Sequence, residues 1–405
     1  MNGKKTGVFL TGILTGALAG VILTVAINLI VGGIHIGGGS TTLISSDIDK
    51  KIKTIYSILD YAYVDSYDKT KTVESLYAGL VNGIGDPYTV YMTADQYKKF
   101  SEDTEGEYAG IGVVVSVDDQ NRIVVVAPFD GSPGAKAGLE SKDCIIKVNG
   151  QNVYGDALDD AIKLMKGAAG TTVTLTIQRD SDDGSSATFD VNVTRDNIVM
   201  DTVSHKMLDN NIGYLRITGF DRVTLQQFQD AYNDLEAQNM KGLILDVRNN
   251  PGGLLDVVTD IADILVPKGL IVYTIDNKGN KKVTNSDSDG INVPLLVLVN
   301  GSSASASEVL AGAIKDRGVG KLVGETTFGK GLVQNIFEIG DGSALKVTIA
   351  RYYTPSGVCI QGTGIAPDYP VPMDSALSAT ISSLTLDQDV QLSAAINIMN
   401  GEITK

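Results

Sequence analysis

The fold is decided by residues 241–266, which read KGLILDVRNNPGGLLDVVTDIADILV. An apolar run of strand length is followed by the turn signal NNPGG and by a helical pattern over residues 254–266. The same succession recurs with PLLVLVN at residues 294–300 and a helix over about residues 305–315. Strands that alternate with helices predict a largely parallel sheet covered by helices, here from about residue 197 onward.

Reactive groups in such a sheet gather at the carboxyl ends of the strands and at the first turns of the helices that follow. Two loops lie at such places, NNPGG at residues 249–253 and NGSSASASE at residues 300–308. A serine in the first turn of a helix lies beside unpaired backbone N–H groups that stabilise an oxyanion, which suits a nucleophile. Serine is also a common helix cap, so the residues alone leave both roles open.

A serine nucleophile needs a base, and the chain has two histidines, His35 and His205. His205 lies in the polar stretch SHKMLDN, which makes a serine-histidine-aspartate triad possible but strained. Lysine replaces histidine where burial lowers the pKa of its ammonium group. Lys330 is the candidate because it stands between Gly329 and Gly331 in an otherwise apolar run. A lysine that is merely exposed on a turn fits the same pattern.

Residues 106–196 carry short strand patterns and Asn-Gly turns, interrupted by one helical stretch at residues 156–166. This pattern predicts a small barrel-like module. Its segments YAGIG (108–112) and SPGAKAGLESKDCIIKVNG (132–150) resemble a PDZ domain of the bacterial, protease-associated kind. The resemblance implies that an extended peptide adds a strand beside the sheet and that backbone N–H groups hold its terminal carboxylate. It assigns peptide binding to Gly110, Ile111, Gly112 and Val113, although a tight turn alone also explains the two glycines.

The N-terminal part of the sequence predicts a membrane anchor. Residues 6–46 contain no Asp, Glu, Lys or Arg, and residues 7–34 are almost entirely apolar and long enough to cross a bilayer. Lys4 and Lys5 precede this segment, so the positive-inside rule places residues 1–6 in the cytoplasm and the body outside it. A cleaved signal peptide is the alternative. We therefore expect a single-pass protein of the bacterial cell membrane with an extracytoplasmic body.

Two amphipathic helical patterns follow the anchor, within residues 47–105, after a linker rich in glycine and serine at residues 35–46. Such a helical hairpin cannot bury its apolar stripes alone, so it docks on the body or on a second copy of the chain. The apolar tail at residues 390–399 needs a partner for the same reason. We expect a homodimer, although packing within one chain satisfies the same requirement.

Composition excludes several classes of protein. The 405 residues include 33 Lys+Arg against 48 Asp+Glu, a formal charge of −15, so no basic surplus is available to bind nucleic acid. The cysteines, Cys144 and Cys359, form no CxxC pair, which argues against a zinc ribbon and a disulfide scaffold, and we interpret both as small buried hydrophobes. No metal site and no cofactor are expected.

The combination of motifs is more specific than its parts. SASASE (303–308), FGKG (328–331) and a glutamine at position 334, with NNPGG before them, resemble the carboxyl-terminal processing, or tail-specific, protease family, which is peptidase family S41. The resemblance covers roughly residues 47–370. It implies a crotonase-like core fold, ATP-independent proteolysis, and recognition of apolar C-terminal tails through the PDZ domain.

The same resemblance assigns roles to individual residues. Ser305 would be the nucleophile, Lys330 the general base, and Gln334 the residue that orients the lysine. The backbone N–H groups of Ala306 and Gly253 would form the oxyanion hole. Gln334 follows Lys330 at an even spacing, so in an extended strand both side chains would project to the same face.

The predicted fold class is a multidomain α+β protein with an N-terminal membrane helix and helical hairpin, a PDZ domain and a crotonase-like α/β serine-protease core. The predicted domains are a cytoplasmic tip (1–6), a transmembrane signal-anchor (7–34), a linker (35–46), a helical segment for docking or dimerisation (47–105), the PDZ domain (106–196), the serine-lysine protease core (197–370) and a C-terminal helical tail (371–405).

The predicted function is a membrane-anchored serine endopeptidase that binds apolar C-terminal tails and cleaves near the substrate C-terminus through an acyl-enzyme. Two alternatives belong to other classes. A catalytically inactive, membrane-anchored PDZ scaffold would use the same modules only to bind peptides. A crotonase-like acyl-CoA enzyme would need cytosolic substrates, which conflicts with the predicted export.

Overall fold

The computed structural model describes residues 45–180 and 185–404, and the chain divides into two compact units, residues 1–72 and 73–405. In the first unit, helix α1 spans Ser46–Ala62. Ser45 caps α1 by accepting a hydrogen bond from the N–H of Ile48, and its first turn carries acidic side chains. Both features satisfy the unpaired, electropositive N–H groups at a helix start.

The other helices are α2 (Lys69–Asn82), α3 (Ala94–Glu105), α4 (Pro133–Lys136), α5 (Leu158–Met165), α6 (Thr224–Ala237), α7 (Leu255–Leu265), α8 (Ala306–Asp316), α9 (Ser375–Ser378) and α10 (Val390–Ile403). The strands are β1 (Val90–Met92), β2 (Glu107–Gly110), β3 (Val113–Val117), β4 (Ile123–Pro128), β5 (Cys144–Val148), β6 (Gln151–Asn152), β7 (Thr172–Asp180), β8 (Ser186–Thr194), β9 (Asp196–Val199), β10 (Val203–Leu208), β11 (Ile212–Ile217), β12 (Gly242–Asp246), β13 (Gly269–Asp276), β14 (Lys281–Ser286), β15 (Leu295–Val299), β16 (Gly320–Gly324), β17 (Leu332–Glu338), β18 (Ala344–Tyr353) and β19 (Tyr369–Pro370).

The central sheet has the order β10-β11-β12-β15-β16-β19 and is parallel except for the β10–β11 pair. Every residue of β12 and β15 is buried, as expected for apolar strands that are covered on both faces. Helices α6, α7 and α8 contribute to the main hydrophobic core, while α10 packs into a second cluster with other residues of the same strands. The predicted strand-helix alternation is therefore present from β11 to β16.

Residues of the PDZ-like region form a separate hydrophobic core. Strands β3, β4, β5, β7 and β8 form an antiparallel sheet with β6 beside β5, and β2 pairs with β9. Helix α5 contributes Ala161 and Met165 to this core. The short strands predicted for this region and its helical stretch at residues 156–166, observed as α5, are therefore present.

A further sheet, with order β1-β18-β13-β14 and β17 beside β18, was not predicted from the sequence. Strand β1 lies in the segment predicted to be helical (47–105), yet Val90 pairs with Lys346 of β18. The tripeptide is too short to show a period of two, so only its long-range pairing identifies it as a strand. The helical segment thus contributes a strand to a sheet formed with residues of the predicted protease core.

Three other expectations can be compared with the structure. The tail helix α10 packs on the central sheet of its own chain through Leu392, Ala395 and Met399, so it supplies no argument for a dimer. Cys144 is buried, as expected, whereas Cys359 is only partly buried. Within residues 45–180 and 185–404, no helix is long and apolar enough to cross a membrane, and the predicted anchor at residues 7–34 lies outside them.

Candidate active site

Five residues that the sequence singled out line one cavity of about 450 Å³. They come from three separate stretches of chain and are Gly253, Ser305, Ala306, Lys330 and Gln334. Two of these stretches follow the carboxyl ends of β12 and β15, which are neighbours in the sheet because Asp246 pairs with Leu298. The structure thus brings the predicted nucleophile, base and oxyanion donors to the same place.

Ser305 stands immediately before helix α8 in an unusual backbone conformation, with φ 56° and ψ −113°. Positive φ is uncommon for residues other than glycine, and such strain costs about 1–3 kcal/mol and clusters at active sites. A serine that only capped the helix would normally have extended dihedral angles. The strain therefore distinguishes Ser305 from an ordinary helix cap, although it precedes α8 and its N–H donates to the side chain of Glu308.

The NNPGG turn approaches the start of α8 closely. A Cβ atom added to Gly252 would lie 2.9 Å from the Cβ of Ser305, and one added to Gly253 would clash with the carbonyl group of Phe220. Gly253 also has a φ of 149°. The N–H groups of Gly253 and Ala306 donate to no protein acceptor among the described residues. Both are therefore available to a negatively charged oxygen, as an oxyanion hole requires.

Asn250 fixes this turn against the two neighbouring elements. Its side chain donates to the carbonyl of Ile217 at 3.0 Å and accepts from the N–H of Gly252 at 2.9 Å. Its own carbonyl accepts from the hydroxyl of Ser307 at 2.9 Å and from the N–H of Ala304 at 3.0 Å. A buried polar side chain with every group paired holds its surroundings in a single geometry.

Lys330 is half-buried and forms no ion pair in the part of the chain that the structure describes. Burial lowers the pKa of its ammonium group, and the charge of Lys346 lowers it further, against the opposing charges of Asp86 and Glu308. Its Nζ atom lies 4.7 Å from the centre of the Tyr88 ring. The lysine thus has the electrostatic surroundings of a general base, since burial favours its neutral form. Among the described residues, no hydrogen bond joins it to Ser305 or Gln334.

Glu308 connects the serine loop to the lysine loop, and the sequence did not single it out for this role. Its side chain is fully buried and accepts four hydrogen bonds. One oxygen accepts from the N–H groups of Ser305 (2.9 Å) and Lys330 (2.8 Å), and the other from the N–H of Gly329 (2.8 Å) and the hydroxyl of Thr327 (2.6 Å). The sequence signal that could have identified Glu308 is an acidic residue among the small and apolar residues at the start of α8.

Tyr352 makes a second connection between the same two loops. Its hydroxyl donates to the carbonyl of Lys330. Burial and the charge of Glu308 raise the pKa of this hydroxyl well above its ordinary value, while a hydrogen bond with the Ser305 side chain acts in the opposite direction. Tyr352 therefore stays protonated and remains a hydrogen-bond donor at ordinary pH.

Gln334 lines the cavity together with Lys330, although the two residues do not lie in one strand. Lys330 precedes strand β17, which begins at Leu332. Even spacing in one extended strand therefore does not relate Lys330 to Gln334. The amide of Gln334 donates to the hydroxyl of Thr348 at 3.5 Å instead.

Helix α3 supplies one wall of the cavity, which the sequence did not predict. Its contributing residues are Tyr97, Phe100, Ser101, Thr104 and Glu105. Asp221 lines the cavity as well, and burial together with the charge of Asp103 raises its pKa to about 6. The cavity therefore has ammonium groups from Lys330 and Lys346 and a carboxyl group that is partly protonated near neutral pH.

His205 takes no part in this cavity. It lies on β10, and its Nε2 atom is 2.9 Å from a carboxylate oxygen of Asp234 on α6. The sequence-based triad with histidine is therefore not assembled. Within the described ranges, no group of His, Cys, Asp and Glu side chains could hold a metal ion.

The PDZ-like region has its own groove of about 200 Å³ between β3 and α5, lined largely by apolar side chains. Ile111 and Val113, two of the four predicted peptide-binding residues, line it. Gly110 ends β2, and Gly112 has a φ of 68° with the Ser132 side chain close to its Cα. The glycines thus shape the loop, and the side chains on either side of Gly112 line the groove.

A second cluster of charges lies immediately before the NNPGG turn. The guanidinium of Arg248 is fully buried between Asp246, at 2.7 Å, and Asp389, at 2.7 Å. Burial by itself lowers the pKa of Arg248, but the two carboxylates outweigh it and raise the pKa. Asp389 also accepts from the N–H of Leu392 at 2.9 Å at the start of α10. The cluster ties the tail helix to the end of β12.

Models of known protein families match three regions of the chain. The family model for peptidase family S41 matches residues 211–371, a PDZ domain model matches residues 124–179, and the model described as the N-terminal domain of the activating protease CtpB matches residues 38–96.

Two relatives and one solved structure illustrate the similarity. The chain is 37% identical over 319 residues to the carboxy-terminal processing protease CtpA of Bacillus subtilis (78% of this chain, 67% of the relative). It is 36% identical over 394 residues to the carboxy-terminal-processing protease of Bartonella bacilliformis (88% of each chain). A putative S41 protease from Bacteroides fragilis shares the fold, with a TM-score of 0.52, 17% identity and coverage of 84% of this chain and 92% of that one. The chain belongs to peptidase family S41 and is a carboxy-terminal processing serine peptidase with a PDZ domain.

Proposed function

We propose that Ser305 and Lys330 form the catalytic dyad of a membrane-anchored, extracytoplasmic endopeptidase that cleaves proteins near apolar C-termini. The observation that carries the proposal is the shared cavity, in which a strained serine at a helix start and a half-buried lysine with a lowered pKa lie together. Both features are typical of an activated serine nucleophile and its base.

The chemistry is acyl transfer. Neutral Lys330 takes the proton of the Ser305 hydroxyl as the serine oxygen attacks the peptide carbonyl carbon. The carbonyl oxygen becomes an oxyanion that accepts hydrogen bonds from the N–H groups of Gly253 and Ala306. The ammonium of Lys330 then gives its proton to the leaving amine, and the peptide C–N bond breaks. A water molecule, deprotonated by Lys330, releases the acyl group by the same steps.

Gln334 would orient the lysine in the productive state, because an amide can accept from the ammonium and donate elsewhere. In the present arrangement the Gln334 amide donates to Thr348 and no hydrogen bond joins Lys330 to Ser305 among the described residues. We propose that the ligand-free dyad is misaligned and that peptide binding to the PDZ domain assembles it.

The PDZ groove supports the preference for apolar tails. Its lining includes Ile111, Val113, Val115, Ile162 and Met165, which offer apolar surface to a side chain beside an added strand. Lys166, at the edge of the groove, forms an ion pair of 2.6 Å with Glu102 of α3, the helix that also lines the catalytic cavity. A peptide that displaces Lys166 would therefore disturb a wall of the cavity.

Membrane anchoring, export and dimerisation belong to the same proposal. The apolar segment at residues 7–34 after Lys4 and Lys5 supports a single-pass anchor with its N-terminus in the cytoplasm. Exposed apolar side chains on α1, among them Ile55 and Ile58, support self-association through the N-terminal helices. Carbonate extraction of membranes tests the anchor, and recovery of the full chain in the soluble fraction would contradict it.

A fluorescent phosphonate probe tests the catalytic assignment, because it labels only an activated serine. With a peptide that has an apolar C-terminus present, wild type should be labelled, whereas Ser305→Ala and Lys330→Ala should not be. Both variants should also lose cleavage of that peptide while keeping the wild-type melting temperature. Ser302→Ala is the matched control, since this exposed serine lies in the same loop, and it should be labelled normally. Labelling of Ser305→Ala would show that Ser305 is not the nucleophile. A wild-type protein that binds the peptide but is not labelled would favour the alternative function, a catalytically inactive PDZ scaffold.

A further inference from the structure

The turn at residues 85–89, which reads GDPYT and which we call the GDPYT turn, lies against the catalytic lysine. In the sequence it marks only the end of a helical pattern. In the structure the ring centre of Tyr88 lies 4.7 Å from Nζ of Lys330, within the range of a cation–π contact. The contact joins residues more than 200 positions apart, from a segment to which neither the sequence motifs nor the mechanism assigns a role.

The turn is held rigidly in this place. Asp86 accepts from the N–H of Tyr88 at 3.0 Å and from the hydroxyl of Thr89 at 2.6 Å. The buried Thr89 hydroxyl in turn accepts from the N–H of Thr348 on β18 at 3.1 Å. Strand β1 follows directly and pairs with β18. The position of the Tyr88 ring is therefore fixed by the sheet that also contains β17, the strand after Lys330.

A cation–π contact acts only on the charged form of an amine, because the ring quadrupole attracts the ammonium and has no comparable attraction for the neutral group. Catalysis requires the opposite form, since only neutral Lys330 can take the Ser305 proton. The ring thus opposes the effects of burial and of Lys346, which favour the neutral form.

We propose that Tyr88 is a positioning residue that holds Lys330 in its protonated, non-catalytic state until a substrate draws the side chain toward Ser305. This inference rests on the proposed role of Lys330 as the base. The charged and titratable groups that face Lys330 are Asp86 and Tyr88 of the turn, Glu308 of α8, and Lys346 and Tyr352 of β18. Of these, Tyr88 is the one whose ring face contacts the ammonium group.

The test is the pH dependence of the rate constant for phosphonate labelling of Ser305 in the full chain, with a peptide that has an apolar C-terminus present at a constant concentration. Tyr88→Leu keeps an apolar side chain but removes the ring, so the acidic limb of the profile should move to lower pH by about 0.5–1 unit, with faster labelling below that limb. Tyr88→Phe keeps the ring and is the matched control, so its profile should equal that of wild type. Tyr88→Trp presents a stronger π face and should move the limb to higher pH.

The outcomes separate this inference from the proposed function. If the Leu, Phe and Trp variants all share the wild-type limb while Lys330→Ala is unlabelled, Tyr88 has no positioning role and the dyad stands. If Lys330→Ala is labelled as fast as wild type, the proposed base itself is wrong. Should Tyr88→Leu fail to fold, the comparison of Tyr88→Trp with Tyr88→Phe still decides the question, because only the Trp variant should move the limb to higher pH. A Trp limb equal to the Phe limb would overturn the inference.

Discussion

Two clusters of charge lie on either side of the NNPGG turn, and they are built in opposite ways. In one, Arg248 is fully buried and pairs with Asp246 and Asp389, so every charge has a partner. In the other, Lys330 and Lys346 line the catalytic cavity and form no ion pair in the described part of the chain. The first cluster fastens the loop that carries the proposed oxyanion donor Gly253, and the second leaves its ammonium groups without an opposite charge.

The difference shows how to distinguish a structural charge from a functional one in this molecule. A buried ion is tolerated in a fold when opposite charges and hydrogen bonds replace its hydration. A half-buried ammonium group without such a partner destabilises the folded state, and its own pKa is shifted. Natural proteins retain such a group mainly at functional sites. Breaking the first cluster should therefore cost stability, whereas breaking the second should cost activity.

The largest effect is expected from Lys330→Met. Without the base, kcat/KM for a peptide with an apolar C-terminus should fall by about three to four orders of magnitude. The melting temperature should stay equal to that of wild type or rise, because the substitution removes a partly desolvated charge. A loss of activity accompanied by a large drop in melting temperature would mean that Lys330 is structural.

The same variant gives a pH dependence with a definite sign. The folded-state pKa of Lys330 is lowered, so the unfolded chain holds the proton more tightly, and the wild type gains stability as pH rises from the lowered pKa toward the ordinary value of about 10.4. The stability advantage of Lys330→Met should therefore shrink as pH rises through this window. Thermal melts in a series of buffers provide the measurement.

The second-largest effect is expected from Arg248→Met, which leaves the carboxylates of Asp246 and Asp389 buried without their partner. The free energy of unfolding should fall by about 3–5 kcal/mol, as seen when one member of a buried ion pair is removed. Denaturant titration measures it, with Lys163→Met as the control because its ion pair with Asp95 is exposed and should have no resolvable effect. Equal denaturation midpoints for Arg248→Met and Lys163→Met would show that the buried Arg248 cluster contributes no more to stability than an exposed ion pair.

A smaller effect is expected from Glu308→Gln. The substitution replaces one carboxylate oxygen of Glu308, which accepts two hydrogen bonds, with an NH₂ group that cannot accept. Two of the four hydrogen bonds are therefore lost, and the loops that carry Ser305 and Lys330 should separate. The value of kcat should fall by about 10–100-fold. Glu325→Gln, in the loop after β16, should behave as wild type. A fully active Glu308→Gln would show that the bridge between the loops is dispensable.

The smallest effect is expected from comparing Ser305→Gly with Ser305→Ala, both of which should be inactive. Glycine adopts a positive φ without steric cost, whereas alanine retains the strain of the native serine. The glycine variant should therefore be more stable than the alanine variant by about 1 kcal/mol, measured by denaturant titration. Identical midpoints would indicate that the backbone at this position is unstrained.

The parts of this molecule that could be predicted from sequence are those whose signals are local. Apolar runs of strand length located β12 and β15, and the helical patterns that follow them located α7 and α8 to within one or two residues. Tight turns and helix starts restrict which residues are possible, so the NNPGG turn and the serine-rich loop before α8 could be located from local patterns. The choice of Ser305 among the serines of that loop, and of Gly253 as an oxyanion donor, came from the resemblance to the protease family.

The parts that could not be predicted depend on contacts between distant residues. The bridge through Glu308 and the wall formed by α3 leave no periodic pattern in the sequence. Gln334 was chosen with the help of an even spacing from Lys330, yet Lys330 precedes β17 and is not part of that strand. The surface on which the tail helix α10 packs also could not be predicted, because the apolar pattern of a helix is the same whether it packs on its own sheet or on a second copy of the chain.

The pairing of β1 with β18 has a consequence for the time at which this peptidase becomes active. Val90 and Lys346 are about 250 positions apart, so at roughly 5–20 residues per second the ribosome needs on the order of 10–50 seconds to deliver the second strand after the first. Lys346 and Tyr352, which line the same cavity, are made only at the end of that interval. The cavity is therefore completed only when most of the chain has been synthesised.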